Sequence, residues 1–137
     1  MVITICGSMS FGKEMLLVKE QLEEMGHKVF VPGELEGEDI SKYQDKPLDE
    51  TIEAKIENDF IRAHYGFIVR SDAILVLNYT KNGVENYVGG NSFLEMGFAF
   101  VHGKKIFLLN SVPSIIYESE MQAMQPTILH NDLSLIS

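Results

Sequence analysis

The chain has 137 residues, 45% of them hydrophobic and 23% charged, with 11 Gly and 4 Pro. That composition suits one compact domain spanning residues 1–137 and excludes a collagen-like or disordered chain. Eleven Lys and Arg against twenty Asp and Glu leave a formal charge of −9 with the histidines neutral. So acidic a surface repels a phosphate backbone and argues against a nucleic-acid polymer as partner, while leaving room for one small anionic ligand held by local N–H groups.

A single cysteine makes no internal disulfide. No secretory signal is expected ahead of the first strand, and the expected setting is a reducing cytoplasm. The longest apolar runs, such as Ala73–Leu77, are far too short to span a bilayer, so no membrane association is expected.

Val2–Cys6 is a short β-branched apolar run stopped by Gly7-Ser8, which predicts a buried strand. Met15, Val18, Leu22 and Met25 recur at helical spacing, with Gly26 in the C′ position of that helix. Lys28–Val31 reads as a second strand ended by Pro32-Gly33. Residues 33–48 are polar and acidic; a loop that long is expected to be functional or mobile, and its length and polarity suit closure over a ligand.

Asp49 reads as the N-cap of a helix carrying Ile52, Ile56, Phe60 and Phe67 on one face. Ala73–Leu77 is a third strand, followed by a Gly/Asn-rich loop over Asn78–Asn91 and a helix from Phe93 to Val101. Lys105–Leu109 is a fourth strand. A short helix over Glu118–Met124, broken by Pro126, leads to a final strand at Thr127–Leu129. Strands that are apolar throughout, alternating with helices, predict an α/β three-layer sandwich on a mainly parallel five-stranded sheet. In such sheets ligands sit beyond the carboxyl ends of the strands.

Three segments fall at that edge, Gly7–Lys13, the loop after Leu77 and Asn110–Tyr117, and the first two carry the polar chemistry. In Cys6–Lys13, Gly7 allows close backbone approach, the helix start offers free N–H groups, and Ser8, Ser10 and Lys13 add donors to a phosphate or hydroxyl. A βα turn needing Gly only for its geometry explains the same residues equally well. The run is neither a Walker A loop nor the dinucleotide fingerprint. In the stretch Asn82–Gly97, Gly89, Gly90, Asn91 and Ser92 lead into Glu95. Ser92 followed by Glu95 fits a capping box. Alternatively Glu95 is an ionised carboxylate at the ligand edge, available as a nucleophile.

Gly7-Ser8 after the first strand, Ser71–Val76 entering the third, and Glu95-Met96-Gly97-Phe98-Ala99 followed by Gly103-Lys104-Lys105-Ile106 together resemble the nucleoside 2-deoxyribosyltransferase family. That family includes transferases and 2′-deoxynucleoside 5′-monophosphate N-glycosidases. The resemblance covers roughly residues 2–110. It implies a flavodoxin-like (Rossmann-like) fold, a homodimer or higher homo-oligomer with sites near subunit interfaces, and a small nucleoside or nucleotide as ligand. It also implies that Glu95 attacks the anomeric carbon, with no cofactor. A carboxylate suits that task, since breaking an N-glycosidic bond builds oxocarbenium character that an anion stabilises or captures.

The chain departs from the family pattern around that glutamate. Where the family carries a base-contacting aspartate, eight residues before Asp72, stands His64, with Asp59 further up the same predicted helix. Six residues before Glu95 stands Gly89 in place of an aspartate or serine, with Asn86 and Asn91 nearby but out of register. Thr4 replaces a tyrosine. His64 is thus either a buried structural histidine or a proton donor titrating near neutrality.

His27, His102 and His130 are scattered without metal-ligand spacing, so no metal site is expected. Cys6 reads as a small buried residue for which the sequence names no partner. Asp72, at the amino end of its strand, reads as structural. The functional expectation is therefore cleavage or exchange of an N-glycosidic bond, catalysed by Glu95 and His64, with Gly7, Ser8, Ser10, Lys13 and Gly89–Ser92 holding the substrate. The alternative is a nucleotide-binding or sensing module of the same fold.

Overall fold

Five short apolar runs form one sheet in the computed structural model, which describes residues 1–33 and 60–137. They are β1 Val2–Cys6, β2 Lys28–Phe30, β3 Ala73–Val76, β4 Lys105–Leu108 and β5 Thr127–Ile128. Every neighbouring pair is parallel, and the spatial order is β2-β1-β3-β4-β5. This is the flavodoxin-like order, in which chain direction across the sheet reverses between β1 and β3 and opens a crevice at their carboxyl ends.

The period of two along each strand sorts the core into two halves. Ile3, Ile5, Ala73, Leu75 and Phe107 face helix α1 (Gly12–Glu24), whose Met15, Val18 and Leu22 complete that core. Ile136 closes the same face, beside a 3-10 turn at Leu133–Leu135. The alternate residues Cys6, Ile74, Val76, Ile106 and Leu108 point to the other face. There they meet α2 (Phe60–Val69), α3 (Gly90–Val101) and α4 (Glu118–Ala123) through Ile68, Met96, Ala99 and Met121. With both faces covered, strands without polar alternation are the economical solution.

Most expected elements fall where the periodicity places them. Gly26 takes φ +93° just past the last turn of α1, the left-handed stop expected there. One boundary differs in a way that matters: α3 begins at Gly90 rather than Phe93, with Gly89 as its N-cap residue. Apart from Gly33, the expected loop at 33–48 lies outside the described residues, as do Asp49, Ile52, Ile56 and Asp59.

At the amino end of the sheet the Asp72 carboxylate accepts the Val2 N–H at 2.7 Å. Thr4 and Ser71 share a buried hydroxyl pair at 2.6 Å, and Ser71 also donates to the Phe67 carbonyl. These residues fasten α2 and β3 to β1. At the carboxyl end, buried Asn78 donates to the Asn110 and Ser111 carbonyls and accepts the Asn110 N–H, tying β3 to β4. Tyr117 donates to the Val88 carbonyl at 2.6 Å and stacks on Phe93, which fixes the loop leading into α3.

Candidate active site

The crevice between the ends of β1 and β3 holds a cavity of about 220 Å³. Its walls come from the β1–α1 turn (Gly7, Ser8, Met9), from α2 (Phe60, Ile61, His64), from the loop after β3 (Lys81, Tyr87) and from the start of α3 (Gly89–Ser92, Leu94, Glu95, Phe98). Of the residues singled out in the sequence, Gly7, Ser8, His64, Gly89, Gly90, Asn91, Ser92 and Glu95 therefore share one pocket. Two do not line it. Ser10 is exposed and bonds the Ser8 hydroxyl at 2.9 Å, while Lys13 is exposed in the first turn of α1.

Gly7 is required by its geometry. Its φ is +154°, and a Cβ there would stand 3.2 Å from the Leu77 carbonyl oxygen and 3.1 Å from Met15 Cε. The turn thus brings its backbone close to the pocket floor in a conformation only glycine holds easily. Ser8 caps the 3-10 turn at Met9–Phe11 through its hydroxyl.

Glu95 is not a capping residue. With Gly89 as N-cap, Ser92 stands at N3 and Glu95 in the second turn, so no capping box forms. The helix dipole, which fades beyond the first turn, consequently acts on Glu95 less than a first-turn position would imply. What remains is a carboxylate 15% exposed at the pocket wall, one of whose oxygens, Oε2, is buried and receives no directed hydrogen bond. His64 Nε2 stands 2.9 Å from that oxygen, but its N–H is not aligned with it.

Beneath both lies Cys6, its Sγ 3.5 Å from His64 Nε2. Burial first, and the Glu95 carboxylate second, push the Cys6 thiol well above its ordinary range. The fold thereby supplies Cys6 with the histidine neighbour that linear spacing hides. Cys6, His64 and Glu95 form the one group of metal-ligating side chains among the described residues. Of the other histidines, His27 bonds the chain's amino group and His102 the Tyr65 hydroxyl.

Lys81 is the residue that the sequence reading missed. Its ammonium donates to Ser8 Oγ at 2.6 Å and lies 5.4 Å from the Tyr87 ring centre, joining the loop after β3 to the loop after β1. A local signal for its placement was present. Lys81 and Val84 exchange both backbone hydrogen bonds around Asn82-Gly83, whose φ values are +52° and +76°. Asn-Gly is the dipeptide best suited to a two-residue hairpin with positive φ at both positions. Tyr87 follows, its ring lying against Gly89 so closely that a Cβ there would meet Oη at 2.9 Å.

The sequence matches no protein-family model and no curated relative. Among solved structures, the CMP N-glycosidase BcmB of Clostridium botulinum superposes with a TM-score of 0.50 at 15% identity, over 90% of this chain and 82% of that one. A 2-deoxyribosyltransferase of Bacillus psychrosaccharolyticus gives 0.48 at 19% identity, over 79% of this chain and 71% of that one. At 15% identity the likeness to the CMP N-glycosidase is one of fold, and the strand order is the flavodoxin-like one that the sequence resemblance implies.

Proposed function

We propose that the chain is a divergent member of the nucleoside 2-deoxyribosyltransferase family. In this reading it cleaves or exchanges the N-glycosidic bond of a (deoxy)nucleoside or its 5′-monophosphate. The observation that carries it is Glu95, a carboxylate with a buried oxygen lacking a directed hydrogen bond, on the wall of the switch-point cavity. A buried carboxylate oxygen left without hydrogen bonds is costly, and such costs persist where function requires the group free. The motif resemblance and the shared fold support the same reading.

The chemistry follows from the arrangement. Glu95 attacks C1′ of the sugar as the bond from C1′ to the base nitrogen breaks, and the carboxylate stabilises the oxocarbenium character that develops. His64, adjacent to Glu95, protonates the departing nitrogen in place of the family's carboxylic acid. Water or a second base then attacks C1′, its proton passing to His64, and Glu95 is released. Water gives a hydrolase, a base gives a transferase. Gly7, Ser8 and the Gly89–Ser92 segment hold the sugar or its 5′-phosphate, and Lys81 adds a positive charge beside Ser8.

The test is chromatography of free bases after incubation with deoxy- and ribonucleosides and their 5′-monophosphates, with and without an acceptor base. Glu95→Gln should lower turnover by at least ~10³-fold, as loss of a nucleophile does. His64→Gln should cost about 10²–10⁴-fold, the usual contribution of a general acid. Turnover that survives in Glu95→Gln refutes the assignment. Ligands that protect the protein thermally without being turned over would instead establish a nucleotide-binding module.

A further inference from the structure

Cys6, His64 and Glu95 converge in a way that glycosyl transfer does not require. They come from β1, α2 and α3, and one donor atom of each lies within 4.8 Å of the other two. Two of its edges are 2.9 Å from Nε2 to Oε2 and 3.5 Å from Sγ to Nε2. A tetrahedral Zn²⁺, with sulfur at about 2.3 Å and nitrogen or oxygen at about 2.0 Å, sets its donors roughly 3.3–3.6 Å apart. Two of the edges are close to that size, and the third, from Sγ to the carboxylate, lies within 4.8 Å. The approach of Nε2 to Oε2 also lacks the alignment that would make it a favourable hydrogen bond. A cation between them, with sulfur at the third corner, would give the unpartnered Glu95 oxygen a ligand bond while keeping the three side chains together.

We propose that Cys6, His64 and Glu95 bind one borderline-soft divalent cation of the Zn²⁺ class. The thiol loses its proton to solvent on binding, and sulfur, imidazole and carboxylate are the donor set such ions select over Mg²⁺ or Ca²⁺. One thiolate and one carboxylate balance the ion's double charge, so the buried site carries no net charge. His64 and Glu95 line the cavity and Cys6 lies beneath, so the fourth coordination position opens toward the cavity. The inference goes beyond the proposed glycosyl chemistry and is independent of it. If both hold, cation and substrate compete, because the ion takes the lone pair with which Glu95 would attack.

The test uses full-length protein stripped with a chelator and dialysed free of it, titrated with Zn²⁺ by calorimetry and with Co²⁺ by absorption. The expected result is one ion per chain, with tetrahedral Co²⁺ bands in the visible and a thiolate-to-cobalt charge-transfer band in the near ultraviolet. Cys6→Ser should abolish the charge-transfer band. Glu95→Gln should keep that band and weaken binding by at least ~10-fold, since even outer-shell losses cost 10–100-fold. Circular dichroism of both variants checks that they fold. No saturable binding at micromolar protein, or a cobalt spectrum unchanged in Cys6→Ser, overturns the proposal. Glycosidase assays on stripped protein read Glu95 without metal, so either hypothesis can fail alone.

Discussion

Burial and the Glu95 carboxylate both penalise the Cys6 thiolate, so the folded protein holds this proton more tightly than the unfolded chain does. The consequence for stability has a definite sign. Below the ordinary thiol pKa of about 8.5 both states are protonated and the group is neutral to folding. Above it the unfolded chain releases the proton while the folded protein retains it, so stability falls as pH rises toward the folded pKa. In chelator-treated protein, melting temperatures from pH 7 to 10 should fall more steeply for the wild type than for Cys6→Ala. Subtracting the two curves removes the contribution of Tyr79 and Tyr117, whose pKa values burial also raises. Parallel curves would show that the thiol is not held protonated by its surroundings.

At the scale of elements, the site depends on how β1 and β3 end. Gly7→Ala puts a Cβ at φ +154° against the Leu77 carbonyl, which is backbone and has little freedom to retreat. The variant should lose about 1–3 kcal/mol of stability, the usual cost of one strained residue, measured by urea denaturation. An unchanged midpoint would mean that the turn relaxes freely. The sequence showed this turn because Gly7-Ser8 interrupts an apolar strand, and it showed the sheet because buried parallel strands leave an unmixed apolar signature. It did not show the start of α3, since Gly89 and Gly90 read as loop by propensity, while Tyr87 lies against Gly89 and Tyr117 holds Val88 and Phe93 on either side of them. That error turned Glu95 into a plausible cap. The triangle of Cys6, His64 and Glu95 was equally hidden, because those residues are neighbours only after β1, α2 and α3 have packed. Lys81 escaped notice for a plainer reason: its Asn-Gly hairpin was absorbed into one long loop.

The whole molecule presents an apolar face beyond its own core. Ile61 and Tyr65 on α2 and Leu94, Phe100 and Val101 on α3 are exposed, Val101 to 81% and Phe100 to 53%. Ile61 and Leu94 also line the cavity, so a partner seated over them borders the site. Exposed large apolar side chains concentrated on two neighbouring helices favour association, and a chain of net charge −9 pairs more readily with a second copy there than through its charged surface. The homo-oligomer implied by the sequence resemblance should therefore assemble through α2 and α3. Light scattering coupled to size exclusion should give at least twice the 15.4 kDa chain mass. Leu94→Arg should shift the protein toward monomer and lower glycosyl turnover, because the cavity that Leu94 lines then loses the wall a second copy supplies. A monomeric wild type at micromolar concentration refutes the assembly, and a monomeric Leu94→Arg with full turnover would show that each chain carries a complete site.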